Sequence, residues 1–95
     1  MTSSIYHITY KFSSKEDRDG FYSAACEMNL AATVEAEDGC IMYRYFMPCD
    51  TDKELFLLEK WENPEAQKVH CDTPHMIKLR TFKEKFNAET EVEFI

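Results

Sequence analysis

The chain has 95 residues, which is the size of one domain with a thin hydrophobic core, and we expect a single domain over residues 1–95. Hydrophobic residues make up 44% and charged residues 31% of it, a balance typical of globular rather than disordered proteins. The formal net charge of −7 argues against nucleic acid and membranes as partners, because both favour basic protein surfaces.

The cellular compartment is the next feature that the sequence constrains. No run of 18 apolar residues is present, and the N-terminal MTSSIYHITYKF lacks the basic region and apolar core of a signal peptide. The four cysteines form no CxxC pair and are expected to be reduced thiols rather than zinc ligands. We therefore expect a cytoplasmic protein without a bound metal.

The first half of the chain predicts a strand, a helix and a second strand. SIYHITYKF alternates over residues 4–12 and is rich in β-branched and aromatic residues. Ser14, with Asp17 three positions later, resembles a capping box that opens one helix running to about Val34. That helix should bury Phe21, Ala25, Met28 and Ala32. Gly39 ends the acidic run EAEDG, and CIMYRYFM is the second strand.

The second half predicts a hairpin partner, a broken helix and a final strand. ELFLLEKWE lies close enough to the second strand to pair with it. Asn63 and Pro64 are typical of a helix start, and the pair Thr73-Pro74 begins another helix. EVEFI alternates and reads as the last strand.

This order, β-α-β-β-α-β, predicts an α+β fold of the ferredoxin-like kind with an antiparallel sheet. Both helical segments of such a fold cover one face of the sheet and leave the other face to water. Here both alternating sets of the first three strands are largely apolar. The uncovered face should therefore meet a second sheet, most simply in a homodimer.

The stretch HCDTPH at residues 70–75 combines two histidines, a cysteine and an aspartate. His70 should end one helix and His75 should lie in the first turn of the next, since the residue before proline avoids helical backbone angles. The stretch could be a metal site, a catalytic pair, or a helix junction. Four ligands within six residues rarely close a tetrahedron, so a metal is disfavoured.

Trp61 and Glu59 share one face of the predicted third strand with Leu57. A carboxylate on an apolar face is either paired or raised in pKa. Lys11 and Arg44 on neighbouring strands are the candidate ion-pair partners of Glu59.

DGCIMYRYF, followed by LFLLEKWENPEAQKVHCDTPHMIKL, resembles the antibiotic biosynthesis monooxygenase (ABM) family of dimeric α+β barrels. Its small bacterial quinol monooxygenases and autoinducer-degrading proteins are the most similar members. The resemblance places Trp61 at a pocket tryptophan and His70 and His75 at the two motif histidines. His7 falls where haem-degrading members have a pocket asparagine.

The chain also departs from parts of the family pattern. Leu57 and Gln67 replace a polar residue and a tyrosine of some polyketide-oxidising members. The haem-degrading triad of Asn, Trp and His would map to His7, His70 and Arg80, so none of its members is kept. The resemblance therefore does not extend to haem degradation.

The resemblance implies a monooxygenase that needs no cofactor and acts on a small aromatic or quinol substrate with molecular oxygen. In this hypothesis His70 is the base, Trp61 a stacking wall and His7 a second hydrogen-bonding group. His75, Glu59 and Leu57 would contact the substrate. Two alternatives stay open: an isomerase or degrading enzyme for a small phosphorylated carbonyl compound, held by Lys78 and Arg80, and a non-catalytic dimeric barrel that binds a small ligand.

Overall fold

Four antiparallel strands form one open sheet, and helices cover one of its faces, in a computed structural model that describes residues 3–94. Across the sheet the strands lie in the order second, third, first and fourth along the chain, so the first and third strands are central. This confirms the predicted ferredoxin-like α+β fold. In chain order the elements are β1 (Ser4–Lys11), α1 (Lys15–Glu27), α2 (Leu30–Glu35), β2 (Cys40–Phe46), β3 (Glu54–Trp61), α3 (Pro64–Cys71), α4 (Pro74–Lys85) and β4 (Glu89–Phe94).

The hydrophobic core lies between the helices and the inner face of the sheet. Alternate residues of β1 and β3 supply it, as the period-2 pattern predicted. Tyr6, Ile8 and Tyr10 of β1 pair with Glu59, Leu57 and Leu55 of β3. The helices contribute Phe21, Ala25, Leu30, Val34, Met76 and Leu79.

A bulge at the start of β2 changes which of its residues face inward. Cys40 pairs with Trp61 and Met42 with Lys60, so Ile41 is the extra residue. Strict alternation along CIMYRYFM would place Ile41 on the same face as Tyr43 and Tyr45, and this expectation is wrong. Because a bulge shifts the alternation by one residue, Ile41 is exposed while Tyr43 is buried.

The helix predicted from residue 14 to about residue 34 is interrupted. Ser14 caps α1 as predicted, accepting a hydrogen bond from the backbone N–H of Asp17 at 3.1 Å. Asn29 then takes a left-handed conformation, with φ of 53°, and separates α1 from α2. The break resets the helical phase, so Ala32 of the predicted stripe is exposed and Leu30 and Val34 are buried instead.

The predicted break between the two later helices is confirmed. The side chain of Asn63 accepts a hydrogen bond from the Ala66 N–H at 2.9 Å and starts α3, with Pro64 at its first position. Pro74 starts α4. The final strand begins two residues earlier than predicted, and Ile95 lies outside the described residues. Within residues 3–94 no helix is long and apolar enough to span a bilayer.

No helix formed by residues 3–94 covers the outer face of the sheet. Phe46 and Phe56 pack against each other there, with ring centroids 6.0 Å apart. Leu58 and Ile5 flank them and are only partly buried, while Phe46 is 42% exposed. This face, defined by Ile5, Met42, Phe46, Phe56 and Leu58, is called the outer apolar face below.

Candidate functional site

His70 is the most deeply buried of the predicted site residues that can transfer a proton. It lies one residue before the end of α3, and its side chain is 1% exposed. The Trp61 ring lies 4.8 Å from the His70 ring between centroids, and the Tyr43 ring lies 5.7 Å away. Asn63 and Pro64 start the short helix α3, and this helix places the His70 imidazole against the aromatic inner face of β2 and β3.

Thr73 connects the two histidines of the helix junction. Its hydroxyl donates a hydrogen bond to the backbone carbonyl of His70 at 2.8 Å. It also lies 3.0 Å from Nε2 of His75, and because its own hydrogen is already used, it can only accept a share of the hydrogen on that nitrogen. Thr73 occupies the predicted N-cap position of α4, but its side chain makes no capping bond. The Thr73 hydroxyl therefore links His70 to His75 and does not cap α4.

Glu37 completes the cluster and was not predicted. Its Oε2 lies 2.9 Å from Nδ1 of His70 and 2.8 Å from Nε2 of His75. A carboxylate oxygen can only accept, so Nδ1 of His70 donates to Glu37, and Nε2 of His75 shares its one hydrogen between Glu37 and the Thr73 hydroxyl. These bonds orient the two rings. The acidic run EAEDG was the available signal, but a run of acids indicates a solvated turn as readily as a site. The three residues are called the Glu37–His70–His75 cluster below.

Gly39 allows the turn that carries Glu37 to lie against α3. Its φ of 83° lies in the left-handed region that favours glycine. A Cβ atom at this position would lie 2.6 Å from the Cβ of Ala66, closer than two such atoms can approach. The Glu62 N–H donates to the Gly39 carbonyl at 2.8 Å and holds the turn in place.

Glu59 is a carboxylate buried in the core, 2% exposed. Its Oε1 accepts a hydrogen bond from the Trp61 indole at 3.0 Å, and burial raises the pKa of Glu59 above its ordinary value. The same oxygen is 3.9 Å from Nε2 of His70, beyond hydrogen-bond range. The predicted partners are wrong: Lys11 pairs with Glu91 at 3.0 Å, and Arg44 is exposed.

Three buried polar atoms have no hydrogen-bond partner among the described residues: Nε2 of His70 and the hydroxyls of Tyr43 and Tyr45. Nδ1 of His70 donates to Glu37, so in the neutral ring Nε2 carries the lone pair. Burial raises the pKa of both tyrosines, which therefore stay neutral. A proton acceptor and two proton donors thus face the same apolar interior.

A cleft of about 300 Å³ opens beside these tyrosines, between α1, α2 and β2. Tyr45 lines it, and the Tyr45 ring is 5.7 Å from the Tyr43 ring, which in turn contacts His70. A chain of aromatic rings thus joins the cleft to the imidazole. The cleft is lined by Tyr22, Ala25, Cys26, Asn29, Leu30, Ala31 and Tyr45.

The structure does not bring every predicted site residue together. His7 lies on the outer side of β1, 4.8 Å from the Phe56 ring between centroids, so the sheet separates it from His70. The prediction that His7 shares a pocket with His70 is corrected by this alternation of side chains. Leu57 is fully buried in the core. Lys78 and Arg80 are exposed, and Arg80 donates to the Cys71 carbonyl.

Comparisons with known proteins agree with this fold. The family model for antibiotic biosynthesis monooxygenases matches residues 5–81. The uncharacterized protein YjcS of Bacillus subtilis (strain 168) is 32% identical over 66 residues, which are 70% of this chain but only 58% of that relative.

Two solved structures extend the likeness over nearly the whole chain. A conserved protein of unknown function from Bacteroides thetaiotaomicron VPI-5482 has a TM-score of 0.86 at 23% identity, covering 99% of this chain and 96% of the other. SnoaB, a cofactor-independent oxygenase from Streptomyces nogalater, has a TM-score of 0.76 at 9% identity, covering 100% and 92%.

Proposed function

The chain belongs to the antibiotic biosynthesis monooxygenase family, and from this premise we propose that it oxygenates a small quinol or phenol without a cofactor, with His70 as the base. The overall reaction balances when the substrate and O₂ give a quinone-type product and water. One oxygen atom stays on the carbon, and the other leaves as water with two hydrogens from the substrate. The substrate itself supplies all four electrons, so no external reductant is needed.

The observation that carries this proposal is the unpartnered Nε2 of His70. Glu37 accepts the hydrogen of Nδ1 at 2.9 Å, which leaves Nε2 as the acceptor. A histidine whose other ring nitrogen donates to a carboxylate is oriented as a general base. His70 would take the proton of the substrate hydroxyl, and the resulting anion would pass an electron to O₂.

The surroundings of His70 suit such an anion. Trp61 and Tyr43 provide flat apolar walls, and the region is closed to water. Excluding water removes the hydration that would stabilise the substrate anion and make it a poorer electron donor. The neutral Tyr43 and Tyr45 hydroxyls lie near each other and could donate to substrate or peroxide oxygens.

Entry would occur through the cleft beside Tyr45. Because His70 and Trp61 are buried, a substrate must displace the Tyr45 and Tyr43 rings to reach Nε2. SnoaB, named a cofactor-independent oxygenase, supports the chemistry by analogy of fold only.

Oxygen consumption tests the proposal. A panel of hydroquinones and anthrone-like phenols is offered to chelator-treated protein in a closed oxygen electrode. We expect uptake with at least one member, lowered about 10²–10⁴-fold by His70→Gln, because that change removes the base. His7→Gln, on the other side of the sheet, is the matched control and should retain activity.

Two results would overturn the assignment. Full turnover by a folded His70→Gln protein would exclude His70 as the base. A panel without any oxygen uptake, with quinols nevertheless protecting Tyr45 from nitration, would indicate a ligand-binding domain rather than an oxygenase.

A further inference from the structure

We propose that Glu37, His70 and His75 form a binding site for a first-row divalent cation, with Zn²⁺ as the ion to be tested. This inference goes beyond the proposed oxygenation, which needs no metal. The sequence argued against a metal because His70, Cys71, Asp72 and His75 are too close along the chain. In the fold, Cys71 and Asp72 are not needed as ligands, because Glu37 from the turn before β2 supplies the third ligand beside His70 and His75.

Three potential ligand atoms lie close together in this cluster. Oε2 of Glu37, Nδ1 of His70 and Nε2 of His75 all lie within 4.8 Å of one another. Ligand atoms around tetrahedral zinc are about 3.3 Å apart, given bonds of about 2.0–2.1 Å. The two Glu37 contacts, at 2.9 Å and 2.8 Å, would lengthen by about 0.5 Å to reach that spacing. The two ring nitrogens, which lie within 4.8 Å of each other, would move to the same separation by rotation of the side chains.

The chemistry of the three ligands is selective. Two imidazole nitrogens and one carboxylate oxygen suit Zn²⁺ and its first-row neighbours, rather than Ca²⁺ or Mg²⁺, which prefer oxygen alone. Three protein ligands leave further coordination positions for water. The Thr73 hydroxyl, 3.0 Å from Nε2 of His75, is a neighbouring polar group for such a water.

The unpartnered nitrogen of His70 is a second, independent observation. A metal on Nδ1 forces the ring hydrogen onto Nε2, which faces Oε1 of Glu59 at 3.9 Å. A small shift would then make the carboxylate–histidine–metal arrangement that orients metal ligands in many proteins. Metal binding would thus give a partner to an atom that lacks one, and the carboxylates Glu37 and Glu59 would balance the cation's charge.

The site is also reachable from solvent. The side chains of His75 and Glu37 are 21% and 15% exposed, whereas His70 closes the inner side at 1%. Because the metal-bound His70 has no free lone pair, a bound cation would also block the base of the proposed oxygenation. The two proposals are nevertheless tested by separate readouts.

Isothermal titration of chelator-treated protein with ZnCl₂ near pH 7.5 measures the binding directly. We expect one ion per chain with a Kd below about 10 μM. Glu37→Gln and His75→Gln should each weaken binding about tenfold or more. Cys71→Ser and His7→Gln are matched controls that should leave it unchanged.

The visible spectrum of the Co²⁺-loaded wild-type protein keeps the test independent of the folding of any variant. We expect d–d bands without the near-ultraviolet absorption that thiolate ligands cause. Thiolate absorption would place the ion on the cysteines and overturn the proposal. So would the absence of a 1:1 titration with Zn²⁺, or a folded Glu37→Gln protein with wild-type affinity. None of these outcomes depends on a substrate being found.

Discussion

The buried carboxylate of Glu59 shows how a single side chain sets the electrostatics of the inner face. It accepts the Trp61 indole hydrogen at 3.0 Å, and within residues 3–94 only the His70 ring reaches the limit of ion-pair range from it. Burial therefore dominates and raises the pKa of Glu59, with the Trp61 bond and His70 opposing that rise. A group that is harder to ionise in the folded state than in the unfolded state makes stability depend on pH.

Glu59→Gln should stabilise the protein at pH 8 and change little at pH 4. The folded protein holds the Glu59 proton after the unfolded chain has released it. The contribution of Glu59 is therefore fully present below its ordinary pKa and is lost as pH rises through the raised value. Glutamine cannot ionise, yet its Oε1 can still accept from Trp61.

Urea unfolding at the two pH values measures this difference, with the exposed Glu93→Gln as the matched control. We expect the gain for Glu59→Gln to be larger at pH 8 than at pH 4 and absent in the control. If the gain in stability were equal at the two pH values, or larger at pH 4, the pKa of Glu59 would not be raised in the folded protein.

At the scale of elements, the interruption between α1 and α2 matters because it redirects the chain toward the site. A continuous helix would bury Ala32, but the left-handed Asn29 turns Leu30 and Val34 inward and leads the chain to Glu37. Asn29 makes no side-chain capping bond, so its role here is its tolerance of a positive φ.

Asn29→Ala should destabilise the protein by about 1 kcal/mol, and Asn29→Gly should be neutral or slightly stabilising. The reason is that a Cβ atom is strained in the left-handed region and glycine has none. In an uninterrupted helix the order would reverse, because alanine is the better helix former by about 1 kcal/mol.

Urea denaturation of the two variants distinguishes an interrupted from an uninterrupted helix, because the two cases predict opposite orders of stability for Asn29→Ala and Asn29→Gly. Ser23→Ala, on the exposed side of α1, serves as the control and should change stability by no more than a few tenths of a kcal/mol. A more stable Asn29→Ala protein would contradict the observed break.

At the scale of the whole molecule, the outer apolar face leaves apolar side chains uncovered in a single chain. Ile5, Met42, Phe56 and Leu58 are partly buried within the sheet itself, and Phe46 is 42% exposed. Contiguous apolar surface of this kind usually marks an interface. We propose that it packs against the same face of a second chain in an isologous homodimer.

Light scattering at micromolar concentration should give about twice the chain mass of 11.2 kDa. Leu58→Glu should shift the protein toward monomer, because it places a charge at the centre of the outer apolar face. Ile77→Glu, at a 52% exposed position of α4 on the other side of the molecule, is the matched control and should stay dimeric. A wild-type protein that is monomeric and unfolds cooperatively would exclude the dimer.

The sequence by itself determined the element order and most of the core. Period-2 alternation in β1 and β3 identified their inner faces, since a strand's side chains must alternate. The local signals of Asn63-Pro64 and Thr73-Pro74 located the helix junction, because capping and proline restrict the backbone within a few residues. These properties depend on neighbours along the chain and can therefore be read from it.

Only the tertiary structure decided which groups meet. Glu37 lies 33 positions from His70 and 38 from His75, yet one oxygen contacts both rings. The β2 bulge, the left-handed Asn29 and the close approach of Gly39 to Ala66 together bring that turn to α3. His7 was separated from the site by the same alternation that made its strand predictable. Contacts between distant residues depend on packing of the whole core, and no local pattern encodes them.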